Sequence, residues 1–146
     1  MHPYPHVYVA SAAGSPAGGV VASSPQLPEL QTAPPPEFDG PGGVWSPETL
    51  FVAALADCFV LTFRGVTRAA KFEWRTVECR VEGVLEKADG VTQFTRYVTR
   101  AKLTVAPGAD AAKAKQLLER AEHLCLIANS LKGARSIETE IVEAAA

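Results

Sequence analysis

The hydrophobic rhythm of this 146-residue chain changes several times, and each change predicts an element. Short β-branched runs at 7–10 (VYVA) and 19–23 (GVVAS) flank SAAGSPAG, a stretch of turn residues, and predict a hairpin. Residues 25–43, PQLPELQTAPPPEFDGPGG, hold six prolines and three glycines and predict an irregular connection. Its length points to a functional loop or to a segment wrapped over another surface, with Pro34-Pro35-Pro36 a stiff connector and Trp45 an anchor in a pocket wall or an interface. Ser46-Pro47-Glu48 then starts a helix: Ser46 can cap, Pro47 suits the first helical position, and Glu48 suits the positive end of the dipole. The helical pattern continues to about residue 70 and is apolar nearly all round from Leu50 to Phe63. That pattern predicts burial on every side, which a small domain achieves most simply by pairing with a second copy.

Beyond residue 73 the period changes. Residues 74–86 (WRTVECRVEGVLE) alternate, with Val77, Cys79 and Val81 facing one way and Glu78, Arg80 and Glu82 the other. This is a half-buried strand, and Cys79 is read as a core thiol. KADG at 87–90 predicts a hairpin turn, 91–105 a long second strand, and Pro107-Gly108 its end. Asp110 is placed to cap a helix over 111–123 with Leu117, Leu118 and Ala121 inward. A short helix over 125–132 ends at Gly133, and 135–143 forms a last strand. The order of elements is that of an α+β fold. One domain is expected over 1–146: hairpin and connection to residue 45, central helix 46–70, hairpin 74–105, helix pair 110–133, last strand 135–143.

Composition narrows the function. The net charge of −2 argues against nucleic acid as the main partner. No run approaches 18 uninterrupted apolar residues, and MHPYPHVYVA lacks the basic and apolar regions of a signal peptide. A cytoplasmic protein with no membrane partner is therefore expected. Three cysteines without C-x-x-C, and three scattered histidines, predict no disulfide scaffold, no metal and no cofactor. Charge is uneven: residues 1–63 carry five acids (Glu29, Glu37, Asp39, Glu48, Asp57) and no lysine or arginine.

Two cysteines stand in distinctive settings. PPPEFDGPGGVWSPETLFVAALADCFVLTF contains Cys58, and AEHLCLIANSLKG contains Cys125. The first block resembles the proline-rich lead, the P-E-x-L helix start and the helical cysteine of the OsmC/Ohr family (osmotically inducible protein C and organic hydroperoxide resistance proteins). The second is similar to that family's C-P-x-S-x-S-L block. The resemblance implies an OsmC-like fold, with a long central helix packed on antiparallel sheets in an intertwined homodimer. It also implies a metal-free thiol peroxidase acting on organic hydroperoxides in oxidative-stress defence. In that reading Cys58 matches the peroxidatic cysteine and Cys125 the resolving one, and a dithiol reductant, in family members a lipoylated protein, restores the thiols.

Local chemistry adds to this. Attack requires thiolate, which an unperturbed thiol with a pKa of about 8.5 supplies only sparingly at neutral pH. Cys125, near the start of its short helix, has the more evident local activation. The helical neighbours of Cys58 are Ala54, Leu55, Leu61 and Thr62, and Asp57 adjoins it, so no cation lies nearby in sequence. Glu48 matches the glutamate that, in the family's peroxidases, holds an early-strand arginine against the thiolate. That arginine has no counterpart here, because GSPAGGVV occupies its region and the first basic residue is Arg64. Arg64, Arg68, Arg96 and His123 are the candidates to replace it, and spacing does not choose among them. Glu48 precedes Cys58 by ten residues, about 15 Å of helical rise and roughly 80° of rotation. Either the helix breaks between them or Glu48 serves the site of a partner subunit. Two other readings remain open: a non-catalytic dimer that binds an apolar or thiol-reactive small molecule or senses oxidation, and a structural dimer with three inert thiols.

Overall fold

The computed structural model describes residues 2–145. They fall into two compact units, Met1–Phe51 and Val52–Ala146. In the first unit β1 (Ser11–Ala13), β2 (Val20–Ser23) and β3 (Leu30–Thr32) form an antiparallel sheet in the order β1-β2-β3. The predicted hairpin is present, with its first strand displaced from 7–10 to 11–13. β3 lies inside the segment read as wholly irregular. It is three residues long between two groups of prolines, too short for a period-2 pattern to show. A 3-10 turn follows at Pro36–Phe38. The connection is then fastened through its backbone: Thr32 bridges Trp45, and Ala33 N donates to Trp45 O at 3.0 Å. The Trp45 side chain itself remains 47% exposed, so the expected anchoring in a pocket wall is not what this chain alone does.

α1 (Pro47–Ala69) begins where the sequence predicts. Thr49 N donates to Ser46 Oγ at 3.1 Å and Ser46 N donates to Thr49 Oγ1 at 2.9 Å. The exchange is that of a capping box, with threonine in the role usually taken by Glu or Gln. By length and composition α1 is long and apolar enough to cross a membrane, with a mean hydropathy of 1.7, although Asp57 and Arg64 interrupt it. Within the single chain the burial of α1 is one-sided. Leu55, Phe59, Phe63, Val66 and Thr67 are buried, whereas Ala54, Asp57, Leu61, Arg64 and Arg68 are exposed.

In the second unit β4 (Thr76–Ala88) and β5 (Val91–Val105) pair antiparallel around a two-residue turn, Asp89-Gly90, both at positive φ as a type I′ hairpin turn requires. α2 (Ala111–Leu124) is capped by Asp110, whose carboxylate accepts from Lys113 N at 2.9 Å. α3 is a single turn, Leu126–Asn129, and β6 (Ala134–Glu143) returns to the sheet. β6 pairs parallel to β5, so the sheet β4-β5-β6 is mixed and not antiparallel throughout. The α2–α3 crossover is what permits a parallel neighbour.

The core joins one face of this sheet to two helices. Phe59, Phe63 and Val66 of α1 meet Ala101, Leu103 and Val105 of β5 and Ala114, Leu117, Leu118 and Ala121 of α2. Val77 and Cys79 of β4 and Ile137 and Ile141 of β6 pack on its margin, as the alternation predicts. The opposite face carries the ladder Glu82–Arg100–Glu138, with contacts of 3.0 and 2.8 Å. These pairs are exposed and add little stability.

Gly133 sets where β6 starts. Its φ is +100°, and a Cβ there would lie 2.7 Å from Thr95 O. Gly133→Ala is expected to destabilise the chain by about 1–3 kcal/mol, from strained φ and backbone overlap together. A denaturant midpoint equal to that of the parent would contradict this.

Candidate active site

Cys58 sits in the middle of α1 and is half-buried, on the border between the core face and the exposed face. Cys125 is 1% exposed and lies at the junction of α2 and α3. The fold brings the two thiols near enough for each to shift the other's ionisation, Cys58 down and Cys125 up. Cys79 is not part of this contact. It is half-buried in β4, register partner of Ala101, at the edge of the core.

The three thiols differ in acidity. Burial pushes Cys58 up, but the backbone amide of Ile127, the Cys125 thiol, the Thr62 hydroxyl and the backbone amide of Leu126 together outweigh it, and the net direction is down. The Thr62 Oγ1 to Cys58 Sγ distance is 3.9 Å, one helical turn apart. Cys125 is pushed up to about 11, first by burial and then by its role as donor to Cys58. Cys79 is pushed up to about 12, mainly by burial and further by the neighbouring Cys125.

This reverses the local activation expected from sequence. The short helix starts after Cys125, not at it: Cys125 has an extended backbone (φ −62°, ψ 117°) and caps α3. Of the free amides of that first turn, Leu126 acts on Cys58, Ile127 on both thiols and Ala128 on Cys125. For Cys125 burial and the neighbouring Cys58 outweigh these amides. None of the candidate cations is among the groups that lower Cys58. Arg64 and Arg68 line a surface groove with Leu61, Phe72 and Trp74, and Arg96 and His123 are exposed. Thr62 and the two amides are functional groups that sequence reasoning passed over. The signal for Thr62 was available in its i+4 spacing from Cys58; nothing in the sequence marked the amides.

Glu48 lies in the first turn of α1, in the first unit, and its Oε2 is buried with no hydrogen-bond partner among the described residues. Around Cys125 the walls are Leu55, Phe59, Tyr97, Thr99, Glu122, Ala128 and Arg135, enclosing about 10 Å³, room for one water at most. Leu124, Leu126 and Ile127, beside Cys125 in sequence, are 44%, 72% and 37% exposed. The arrangement offers one activated sulfur, one protonated sulfur in contact with it, and a greasy surface next to both.

Comparison with known proteins bears on the family and the fold. A family model described as OsmC-like protein matches residues 40–140. The chain is 31% identical over 126 residues to an uncharacterized protein of Acinetobacter baylyi, covering 85% of each. It is 26% identical over 109 residues to the uncharacterized protein YmaD of Bacillus subtilis, covering 73% of each. Among solved structures, an OsmC-like protein of unknown function from Vibrio cholerae superposes with a TM-score of 0.82 at 18% identity, over 94% of this chain and 100% of that one. An organic hydroperoxide resistance protein from Legionella pneumophila superposes with a TM-score of 0.75 at 26% identity, over 96% and 99%. The chain belongs to the OsmC-like protein family.

Proposed function

We propose that this chain is a two-cysteine thiol peroxidase that reduces organic hydroperoxides. The observation that carries the reading is the contact between a thiol held below its ordinary pKa, Cys58, and a thiol held above it, Cys125. The Cys58 thiolate attacks the distal oxygen of the hydroperoxide. A sulfur–oxygen bond forms, the O–O bond breaks, and the departing alkoxide takes a proton to leave as alcohol. Cys125 then displaces hydroxide from the sulfenic acid. A disulfide forms, water leaves, and an external dithiol, in the family a lipoylated protein, returns two electrons. Cytoplasm is the setting in which such a pair rests reduced.

Activation without the family's arginine is the specific content of this proposal. Two backbone amides, a hydroxyl and a thiol supply the hydrogen bonds that favour thiolate. The organic part of the substrate is received by the exposed apolar residues flanking Cys125, since the enclosed crevice beside it is too small. A homodimer completes the picture. It covers the exposed stripe of α1 around Leu61, and, since α1 is unbroken, it assigns Glu48 to the site of the second copy.

The test is the pH dependence of alkylation at each cysteine, read by mass spectrometry. Cys58 is expected to react with a midpoint below that of an ordinary thiol, whereas Cys125 and Cys79 gain reactivity only toward pH 11 and 12. Because a lowered pKa leaves more thiolate at neutral pH, the order at pH 8 is Cys58 first, then Cys125, then Cys79. After one equivalent of cumene hydroperoxide, a Cys58–Cys125 disulfide is expected. Equal alkylation of the three thiols, with no such disulfide, would favour the structural reading over catalysis.

A further inference from the structure

The segment that carries Cys125 is held from both sides by one arginine. Arg135 Nε lies 3.5 Å from Glu122 Oε1, and Arg135 Nη1 donates to Asn129 Oδ1 at 3.3 Å. Asn129 Nδ2 in turn donates to His123 O at 3.1 Å, which closes residues 123–129 into a loop with Cys125 inside it. Of the five ion pairs among the described residues, Arg135–Glu122 is the least exposed, with side chains at 26% and 18%. The partners in the other four range from 41% to 62%. Glu122 and Arg135 also line the crevice that Cys125 lines.

Arg135 has a fixed base. It is the second residue of β6 and sits in register with Tyr97 on the central strand. Tyr97 is 2% exposed and lines the same crevice. Gly133, which approaches Thr95 too closely for any side chain, fixes the start of the strand. The planar guanidinium can reach two acceptors at set angles, which an ammonium cannot. We propose that Arg135 is a positioning residue for the thiol pair: by gripping Glu122 before Cys125 and Asn129 after it, it locks the α2–α3 turn to the sheet and so aims the Cys125 thiol and the Leu126 and Ile127 amides at Cys58.

This rests on the redox-pair reading of the two cysteines, and its test separates the two. Arg135→Met, Arg135→Lys and Asn129→Ala are compared with the parent in three measurements. These are the pH profile of Cys58 alkylation, the rate at which diamide closes the Cys58–Cys125 disulfide, and the melting temperature. Arg135→Met is expected to move the Cys58 profile to higher pH and to slow closure by about tenfold or more, the usual scale for misplacing reacting groups. Arg135→Lys, which keeps the charge but not the fork, recovers part of both. Asn129→Ala gives the same direction of change and carries the test if Arg135→Met does not fold. A purely structural salt bridge would lower the melting temperature and leave the Cys58 profile in place. Folded variants with parental profiles and closure rates would overturn the proposal. If the parent closes the disulfide with diamide but turns over no hydroperoxide, the peroxidase reading fails and this one stands.

Discussion

Cys58→Ser is expected to remove hydroperoxide consumption, lowering turnover by about 10³-fold or more, the scale on which enzymes lose activity when their nucleophile is deleted. The serine hydroxyl would occupy the same point on α1 and could accept from the same donors. Yet hydrogen bonds that suffice to bring a thiol to thiolate leave an alcohol almost wholly neutral, so no nucleophile forms. Cys125→Ser behaves differently. The first turnover survives, because it needs only Cys58, but with no thiol beside it the sulfenic acid is oxidised by a second hydroperoxide to sulfinic acid, a second alcohol leaves, and the cycle stops. Consumption of a few equivalents of cumene hydroperoxide with no added thiol, with the mass of each chain read afterwards, distinguishes the two. Turnover by Cys58→Ser at the parental rate would refute the assignment.

The second large effect is on stability. Phe63→Ala is expected to cost about 3–5 kcal/mol, as truncation of a fully buried aromatic does when the cavity cannot collapse. Phe63 is 0% exposed and stacks on Phe59 at 6.4 Å and against Trp74 at 5.3 Å. Its carbonyl accepts from the Thr67 hydroxyl at 2.9 Å, and that hydroxyl accepts from Trp74 Nε1 at 3.0 Å. Removing the ring therefore loosens a residue that holds the end of α1 to the start of β4. Such a loss is a third or more of the net stability of an ordinary domain, and a fall in melting temperature of roughly 10 °C follows. Calorimetry giving a shift below about 2 °C would show that this core repacks more freely than its burial implies.

Much of this architecture was legible because local signals agreed. Ser46-Pro47 fixed the start of α1, and Asp89-Gly90 and Pro107 bracketed β5 within its observed bounds. The alternation of β4 placed Cys79 inward correctly. Two things were not legible. The direction of β6 depends on which side of β5 the chain returns to, and no residue of ARSIETEIVE encodes that. The activation of Cys58 depends on donors from residues 62, 126 and 127 meeting in space, and two of those donors are backbone. Reading Cys125 as activated by its helix counted the amides that lower it and missed the burial that outweighs them. The pairing of Cys58 with Cys125 came from the family resemblance; neither periodicity nor spacing marks it.

Three cysteines can form a single bridge in three ways, and the proposed cycle uses one of them. Cys79 lies close enough to Cys125 for their charges to interact, so proximity alone would not prevent miswiring. Its acidity works against miswiring: burial holds it at about 12, above the value of about 11 for Cys125, so it presents the ion that exchange requires less often. Burial at the core's edge thus acts as insulation, favouring the proposed connection without any need to remove the third sulfur.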